Sequence, residues 1–347
     1  MDPHQPPADR ILFDIALGSD DRPAEETLDL IRLAEALGFA NAWLTESRGR
    51  DVFVLLASAA GRTSRIGLGT GITNVYARTA TTIAQAAGTI AELMPGRVFN
   101  LGLAASGRGL VELYHRVPFE RPVARVRDAA RIVDFILAEG RMPPAGPGER
   151  AGPRLTLTPM RDRVRIFIAG SSDATLRFIG AEADGWLPVW PSRRHTPEQV
   201  ATIAEAARAT GRPLPDVAGY LYGGLDTDPD VVAATRDTLA WYIAANGEAY
   251  RKLFLRYGYD REVGEIVARW EAGDHRAAAA AIPREMLDDC ALMAAPAAFA
   301  DQAKAFVEAG IARPVLRVVR ELSADRVAEL LTETAGLMRL GGGAPSS

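Results

Sequence analysis

The feature that most restricts what this chain can fold into is a repeated alternation. Short apolar runs at 11–17, 41–46, 65–70, 97–103, 164–169, 185–189, 217–223 and 314–319 are each followed by a stretch whose apolar residues recur at helical spacing. After the first run, for example, Leu30, Ile31, Ala34 and Leu37 fall on one face, and Gly38 ends the stretch. The runs read as apolar rather than alternating, which suits strands of a parallel sheet covered by helices. Eight strand–helix units predict an α/β fold of the (β/α)8 TIM-barrel type in preference to a doubly wound open sheet. Binding and catalytic groups then belong just past the C-terminal ends of the strands.

The expected organisation is one barrel over residues 10–338, with a Pro-rich disordered lead at 1–9 and a flexible glycine-rich tail at 339–347. A Pro/Gly-rich passage at 140–153 precedes RLTLTP at 154–159, read as a short excursion strand. Thr196, Pro197 and Gln199 read as a capping-box helix start. The stretch 246–295 is Ala-rich, helical and free of strands in this reading. It is too long for an ordinary connection and reads as an insertion near the barrel mouth, a lid by position.

Composition excludes several classes of function. The net charge of −4 argues against nucleic acid as the main partner. One cysteine, Cys290, allows no internal disulfide and fits a reducing cytoplasm. No apolar run approaches the roughly 20 residues that span a bilayer, and MDPHQPPADR lacks the pattern of a signal peptide. The expectation is a soluble cytoplasmic protein acting on a small molecule.

The most informative stretch is 64–107, SRIGLGTGITNVYARTATTIAQAAGTIAELMPGRVFNLGLAASG. Gly67, Gly69 and Gly71 follow one another along a strand, and glycine inside a strand marks a bulge or the close approach of a backbone or ligand. The next strand also ends in small residues, Ala104-Ala105-Ser106-Gly107. Two adjacent side-chain-poor strand ends leave room for a flat cofactor. Ile72-Thr73-Asn74-Val75-Tyr76, entered through a strained backbone at Gly71-Ile72, could supply amide hydrogen bonds to a heterocycle, or could be a bulge that only re-aims the chain. Ala169-Gly170-Ser171-Ser172 precedes a helix, where N–H groups, the dipole and two hydroxyls favour a phosphate; a plain serine N-cap is the alternative.

Glu46 ends an apolar strand and can reach into the mouth as an acid/base group, or pair with Arg48 or Arg50. Ser47 sits beside it. His115, in the long turn after the fourth strand, either touches substrate or cofactor or packs at the surface. Arg78, Trp186 and Trp190 are further mouth candidates, with core or rim packing as the alternative. The remaining histidines lack ligand spacing, so no metal site is expected. Neither a G-x-S-x-G elbow nor a Rossmann fingerprint is present.

Together AWLTESRGRDVFVLL, the 64–107 stretch, IFIAGSSDATLRFIGAEADGWL and PREMLDDCALMAAPAAFADQAKAFVEAGI resemble the bacterial luciferase-like superfamily of flavin- and deazaflavin-dependent oxidoreductases. The likeness is strongest to its coenzyme F420-dependent branch, typified by methylenetetrahydromethanopterin reductase. The resemblance implies a (β/α)8 barrel with a non-prolyl cis peptide at Gly71-Ile72 behind the cofactor's central ring. It implies the phosphate at Gly170–Ser172, with Ala104–Gly107 lining the ring and ribityl region. The implied activity is hydride transfer between F420 and a small organic substrate. The alternatives are an FMN-dependent monooxygenase served by a separate reductase, and a non-catalytic flavin-binding barrel. A homodimer is implied by the resemblance alone. Many deazaflavin members carry Asp-His after the second strand and luciferase-type members often Glu-His. Here the pair is Glu46-Ser47, which leaves open the proton-handling residue and the choice of cofactor.

Overall fold

The alternation folds as read. The computed structural model describes residues 11–146 and 149–340. In chain order it runs β1 (Asp14–Gly18), α1 (Ala24–Leu37), β2 (Asn41–Thr45), α2 (Val52–Ala60), β3 (Gly67–Asn74), α3 (Ala80–Glu92), β4 (Phe99–Ala104) and α4 (Pro122–Glu139). Next come β5 (Val164–Ile168), α5 (Asp173–Glu182), β6 (Gly185–Trp186), α6 (Thr196–Ala209), β7 (Asp216–Leu225) and α7 (Pro229–Ala244). Four short helices follow: α8 (Glu248–Arg256), α9 (Asp260–Glu271), α10 (His275–Ala280) and α11 (Arg284–Cys290). The chain closes with β8 (Leu292–Ala294), α12 (Pro296–Glu308), β9 (Arg313–Arg317) and α13 (Ala324–Met338).

All strand pairings are parallel, and the order β1-β2-β3-β4-β5-β6-β7-β9 returns to β1 through Asp14↔Val315, closing an eight-stranded barrel. The large core lies between strands and outer helices. A smaller one fills the barrel, where Trp43 meets Phe167 edge-on at 5.2 Å beside Leu187, Tyr220 and Val315. Below it Asp14 accepts hydrogen bonds from Asn41 and from Trp43 Nε1 (2.9 Å), and burial pushes its carboxyl up.

Three local expectations are corrected. The stretch 246–295 does contain a strand: Leu292–Ala294 pairs with the protruding end of β7, Gly223–Leu225, whose main-chain groups it satisfies. The excursion at 154–159 reduces to one antiparallel bridge, Arg154↔Arg141. No capping box opens α6. His195 holds the cap position without accepting from the helix N–H groups, its Nδ1 meeting Ser192 Oγ at 3.0 Å instead, and the Thr196 hydroxyl and Gln199 Oε1 have no partner among the described residues. Ser192 instead accepts from the Arg194 and His195 N–H groups just upstream.

Residues 1–9 and 341–347 of the expected lead and tail lie outside the described residues. Arg339 caps α13 in the left-handed region and Leu340 is buried, so these two belong to the barrel's outer layer. Among the described residues no helix is long and apolar enough to cross a membrane.

Candidate active site

Each barrel strand delivers its next few residues to the C-terminal rim. At β3 the pairing with β4 slips between Thr70 and Thr73, and the Gly71–Ile72 peptide inside this bulge is cis. The strand glycines make room for the protein itself. A Cβ on Gly69 would lie 2.6 Å from the Asn100 carbonyl and 2.8 Å from the Trp43 ring, and one on Gly71 would lie 1.5 Å from the Tyr220 hydroxyl. On the side a Cβ would occupy, both glycines are therefore met by the protein's own groups.

Glu46, one residue past β2, braces the bulge. It accepts the Asn74 N–H on Oε2 (2.9 Å) and pairs through Oε1 with Arg78, and its own N–H donates to the Ile72 carbonyl (3.3 Å). Arg78 also binds Asp51, the N-cap of α2, at 2.5 Å. The partner is thus neither Arg48 nor Arg50. Asn74 Oδ1 accepts the Tyr76 N–H (2.9 Å), while Asn74 Nδ2 and Thr73 Oγ1 are buried without a partner among the described residues. Ser47 is half-buried beside Glu46 and forms no side-chain hydrogen bond among the described residues.

Ala104–Gly107 follow β4, half-buried, with Ser106 in the left-handed region; Asn246 of the insertion comes within 3.3 Å of a Cβ placed on Gly107. His115 caps a π-helical turn at Leu110–Tyr114 and packs edge-on against Tyr114 at 5.0 Å. Among the described residues no hydrogen bond or ring contact of His115 reaches Glu46 or the bulge, while the Tyr114 hydroxyl beside it lies 3.4 Å from the Arg48 carbonyl, next to Ser47. Trp186 donates to the Gly170 carbonyl (2.9 Å), and Trp190 stacks on Tyr222 at 4.4 Å; both are core residues.

After β5, Gly170 takes φ 147° and Ser172 caps α5, accepting from the Thr175 N–H (3.3 Å). An open groove of about 510 Å³ lies here, lined by Ser172, Asp173, Lys252, Leu255 and Arg256. Arg256 donates to the Ser171 carbonyl (2.9 Å) and hydroxyl (3.3 Å) and lies 3.8 Å from Asp173. The helix N-terminus, the two serines and Arg256 are donors of the kind a phosphate takes, although Asp173 shares the groove and Lys252 is engaged by Glu248 (2.6 Å). The two cations were missed by sequence reasoning because α8 carries them, some 80 residues from the serines.

Also missed is a buried polar cluster on the far side of the same rim. Arg317, the last residue of β9, pairs with Asp21 (3.2 Å) beneath Tyr222, whose hydroxyl meets that of Tyr242 at 2.8 Å. Burial works against the Arg317 charge, but Asp21 and the tyrosines outweigh it and raise its pKa. The visible signal was an arginine interrupting PVLRVV.

The family model for luciferase-like monooxygenases matches residues 11–313. The chain belongs to that family. It is an oxidoreductase, as are the family members it is similar to. A protein of Mycobacterium tuberculosis, provisionally classed as a coenzyme F420-dependent oxidoreductase, is 27% identical over 89% of this chain and 94% of its own length. The 5,10-methylenetetrahydromethanopterin reductase of Methanopyrus kandleri is 24% identical over 88% and 92%. Among solved structures, the F420-dependent tetrahydromethanopterin reductase of that organism shares the fold with a TM-score of 0.78 at 22% identity, covering 93% of this chain and 97% of its own. The FMN-bound oxygenating component of 3,6-diketocamphane monooxygenase from Pseudomonas putida gives 0.65 at 16%, covering 94% and 97%.

Proposed function

We propose that this luciferase-like oxidoreductase moves a hydride between coenzyme F420 and a small organic substrate. The observation that carries the reading is the groove at the start of α5, where Ser171, Ser172, Arg256 and Lys252 converge as a phosphate-binding donor set. F420 is favoured over FMN because the relatives aligned over most of both chains are named for F420 or for methanopterin reduction. When bound, the deazaflavin supplies a two-electron hydride carrier; everything else falls to the chain.

Gly170–Ser172 and Arg256 would hold the phosphate, and Ala104–Gly107 would line the path from there to the ring. The Gly71–Asn74 bulge, fixed by Glu46 and Arg78, would back the ring with main-chain groups. Thr73 Oγ1 and Asn74 Nδ2 supply two unspent polar atoms there. Tyr220 stands behind the bulge with its pKa raised by burial, so it remains a neutral hydroxyl. In this reading Glu46 positions the bulge; Ser47 and His115 retain no contact that defines a role. The reading places the enzyme in the cytoplasm as a homodimer with no separate reductase.

An FMN-dependent monooxygenase is the second reading, favoured by the FMN-bound neighbour. Fluorescence titration of the purified protein with F420 and with FMN separates the two. Tight binding of F420 is the expected result; micromolar binding of FMN alone would overturn it, and oxygen uptake with reduced FMN would establish the monooxygenase.

A further inference from the structure

On the rim formed by β2, β1, β9 and β7 lies a set of hydrogen-bond donors that the chain does not answer. Arg22, in the turn between β1 and α1, is 5% exposed, and none of its three guanidinium nitrogens has a partner among the described residues. Its neighbour Asp21 is committed elsewhere, accepting from the Gly18 N–H (2.7 Å) and from Arg317 (3.2 Å). Ser19 Oγ, Thr45 Oγ1, Tyr220 Oη and Arg317 Nε are likewise buried and unpartnered. The strand register sets Thr45 opposite Gly18, the residue before Ser19, and Arg317 opposite Ala16 and Tyr222, and Arg22 is near enough to Arg317 to feel its charge.

The charge balance points the same way. Burial is the main force lowering the Arg22 pKa, and the positive Arg317 adds to it, against Asp21 and Glu26. Glu321 is the other carboxyl near Asp21 and Arg317, and burial raises its pKa. A guanidinium without a hydrogen-bonded counter-ion is costly to bury, and its planar fork of donors matches an oxyanion. We propose that this corner of the barrel mouth binds the oxyanion group of the substrate, a carboxylate or a phosphate ester, with Arg22 as its principal partner. The substrate is then an organic anion. The word substrate rests on the oxidoreductase reading above; the anion site rests on Arg22 and its neighbours.

Thermal unfolding of the full chain, with malonate or inorganic phosphate against chloride at matched ionic strength, tests this. Either probe should raise the wild-type Tm, and the better one identifies the carboxylate or the phosphate ester. The response should survive Arg256→Ala, which disables the α5 groove, and weaken about tenfold or more in Arg22→Met. Without added oxyanion, Arg22→Met should be at least as stable as wild type, because an unpaired buried charge has been removed. A less stable or unfolded Arg22→Met, or one that keeps the wild-type response, would overturn the proposal, as would a wild type that responds to neither probe. F420 and FMN titrations run alongside: failure of both with the Arg22-dependent response intact rejects the cofactor reading and still supports the anion site.

Discussion

The Glu46 carboxylate is held between the Arg78 guanidinium and the Asn74 N–H, with 8% of its side chain exposed and 16% of that of Arg78. Burial works against the Arg78 charge, but its hydrogen bond to Glu46 outweighs this and raises its pKa. The pair therefore ties β2 and the start of α3 to the β3 bulge. Arg78→Met leaves a carboxylate buried without its cation and should destabilise the protein by about 3 kcal/mol. Glu46→Gln keeps an acceptor for Asn74 and should cost about 1 kcal/mol. The double variant should be more stable than the sum of the two predicts, which urea unfolding of all four proteins measures. Equal, additive losses would mean that the pair is solvated rather than structural.

At the α5 groove, Arg256 is half exposed, so its contribution to anion binding is moderate. Arg256→Ala should weaken FMN or F420 by about tenfold and flatten the salt dependence of binding. Ser171→Asp should weaken it further, by placing a like charge at the phosphate. Riboflavin, which has no phosphate, serves as the control. Its affinity should be unchanged in both variants, and a parallel loss for riboflavin would move the phosphate elsewhere.

The eight barrel strands were legible because each is a continuous apolar run, and parallel sheets covered by helices demand such runs. The Ser171–Ser172 turn was legible because its chemistry is local. Arg256 and Lys252 were not, because the residues that would complete the proposed anion site lie on a helix whose sequence carries only surface charge. Leu292–Ala294 was missed because three apolar residues between two helices look like either helix end. The glycines of β3 were rightly read as close-approach positions, but the partner that approaches is internal. No periodicity announces that Trp43, Asn100 and Tyr220 point at Gly69 and Gly71. Insertion and barrel mouth also share a core, in which Phe254 and Tyr257 pack with Trp190 and Tyr222. That contact is too distant in sequence to read.

Glu35, near the end of α1, accepts the N–H groups of Ser64 (2.8 Å), Arg65 (2.6 Å) and Ile66 (3.0 Å), and so sets the entry to β3. Burial pushes its carboxyl up, but the three N–H donors, Arg65 foremost, outweigh burial and hold its pKa below the ordinary 4.5. A carboxyl depressed on folding stabilises the native state above its unfolded pKa, and that contribution fades as pH falls through the native value. Glu35→Gln should therefore cost about 1 kcal/mol at neutral pH, the carboxylate being partly solvated. The difference should shrink below pH 4.5 and vanish in stronger acid. Urea midpoints for the two proteins across that range give the answer; a gap that widens in acid would reverse the assignment.

Gly71 and Tyr220 make the sharpest steric prediction. A methyl group on residue 71 would lie 1.5 Å from Tyr220 Oη and 2.6 Å from Cζ, and the ring is buried in the barrel with little room to turn. Gly71→Ala should cost about 3 kcal/mol, the upper end for overpacking a core. Tyr220→Phe removes a buried hydroxyl that has no close hydrogen-bond partner among the described residues, and should be close to neutral in stability. Combining them relieves the nearest clash but leaves the ring carbon, so the double variant should recover only part of the loss. The coupling between the two changes, read from a double-mutant cycle in urea, should then be about 1 kcal/mol or more and favourable. If Gly71→Ala proves as stable as wild type, the Tyr220 ring swings aside freely, and glycine at 71 is explained by what lies on the bulge's other face.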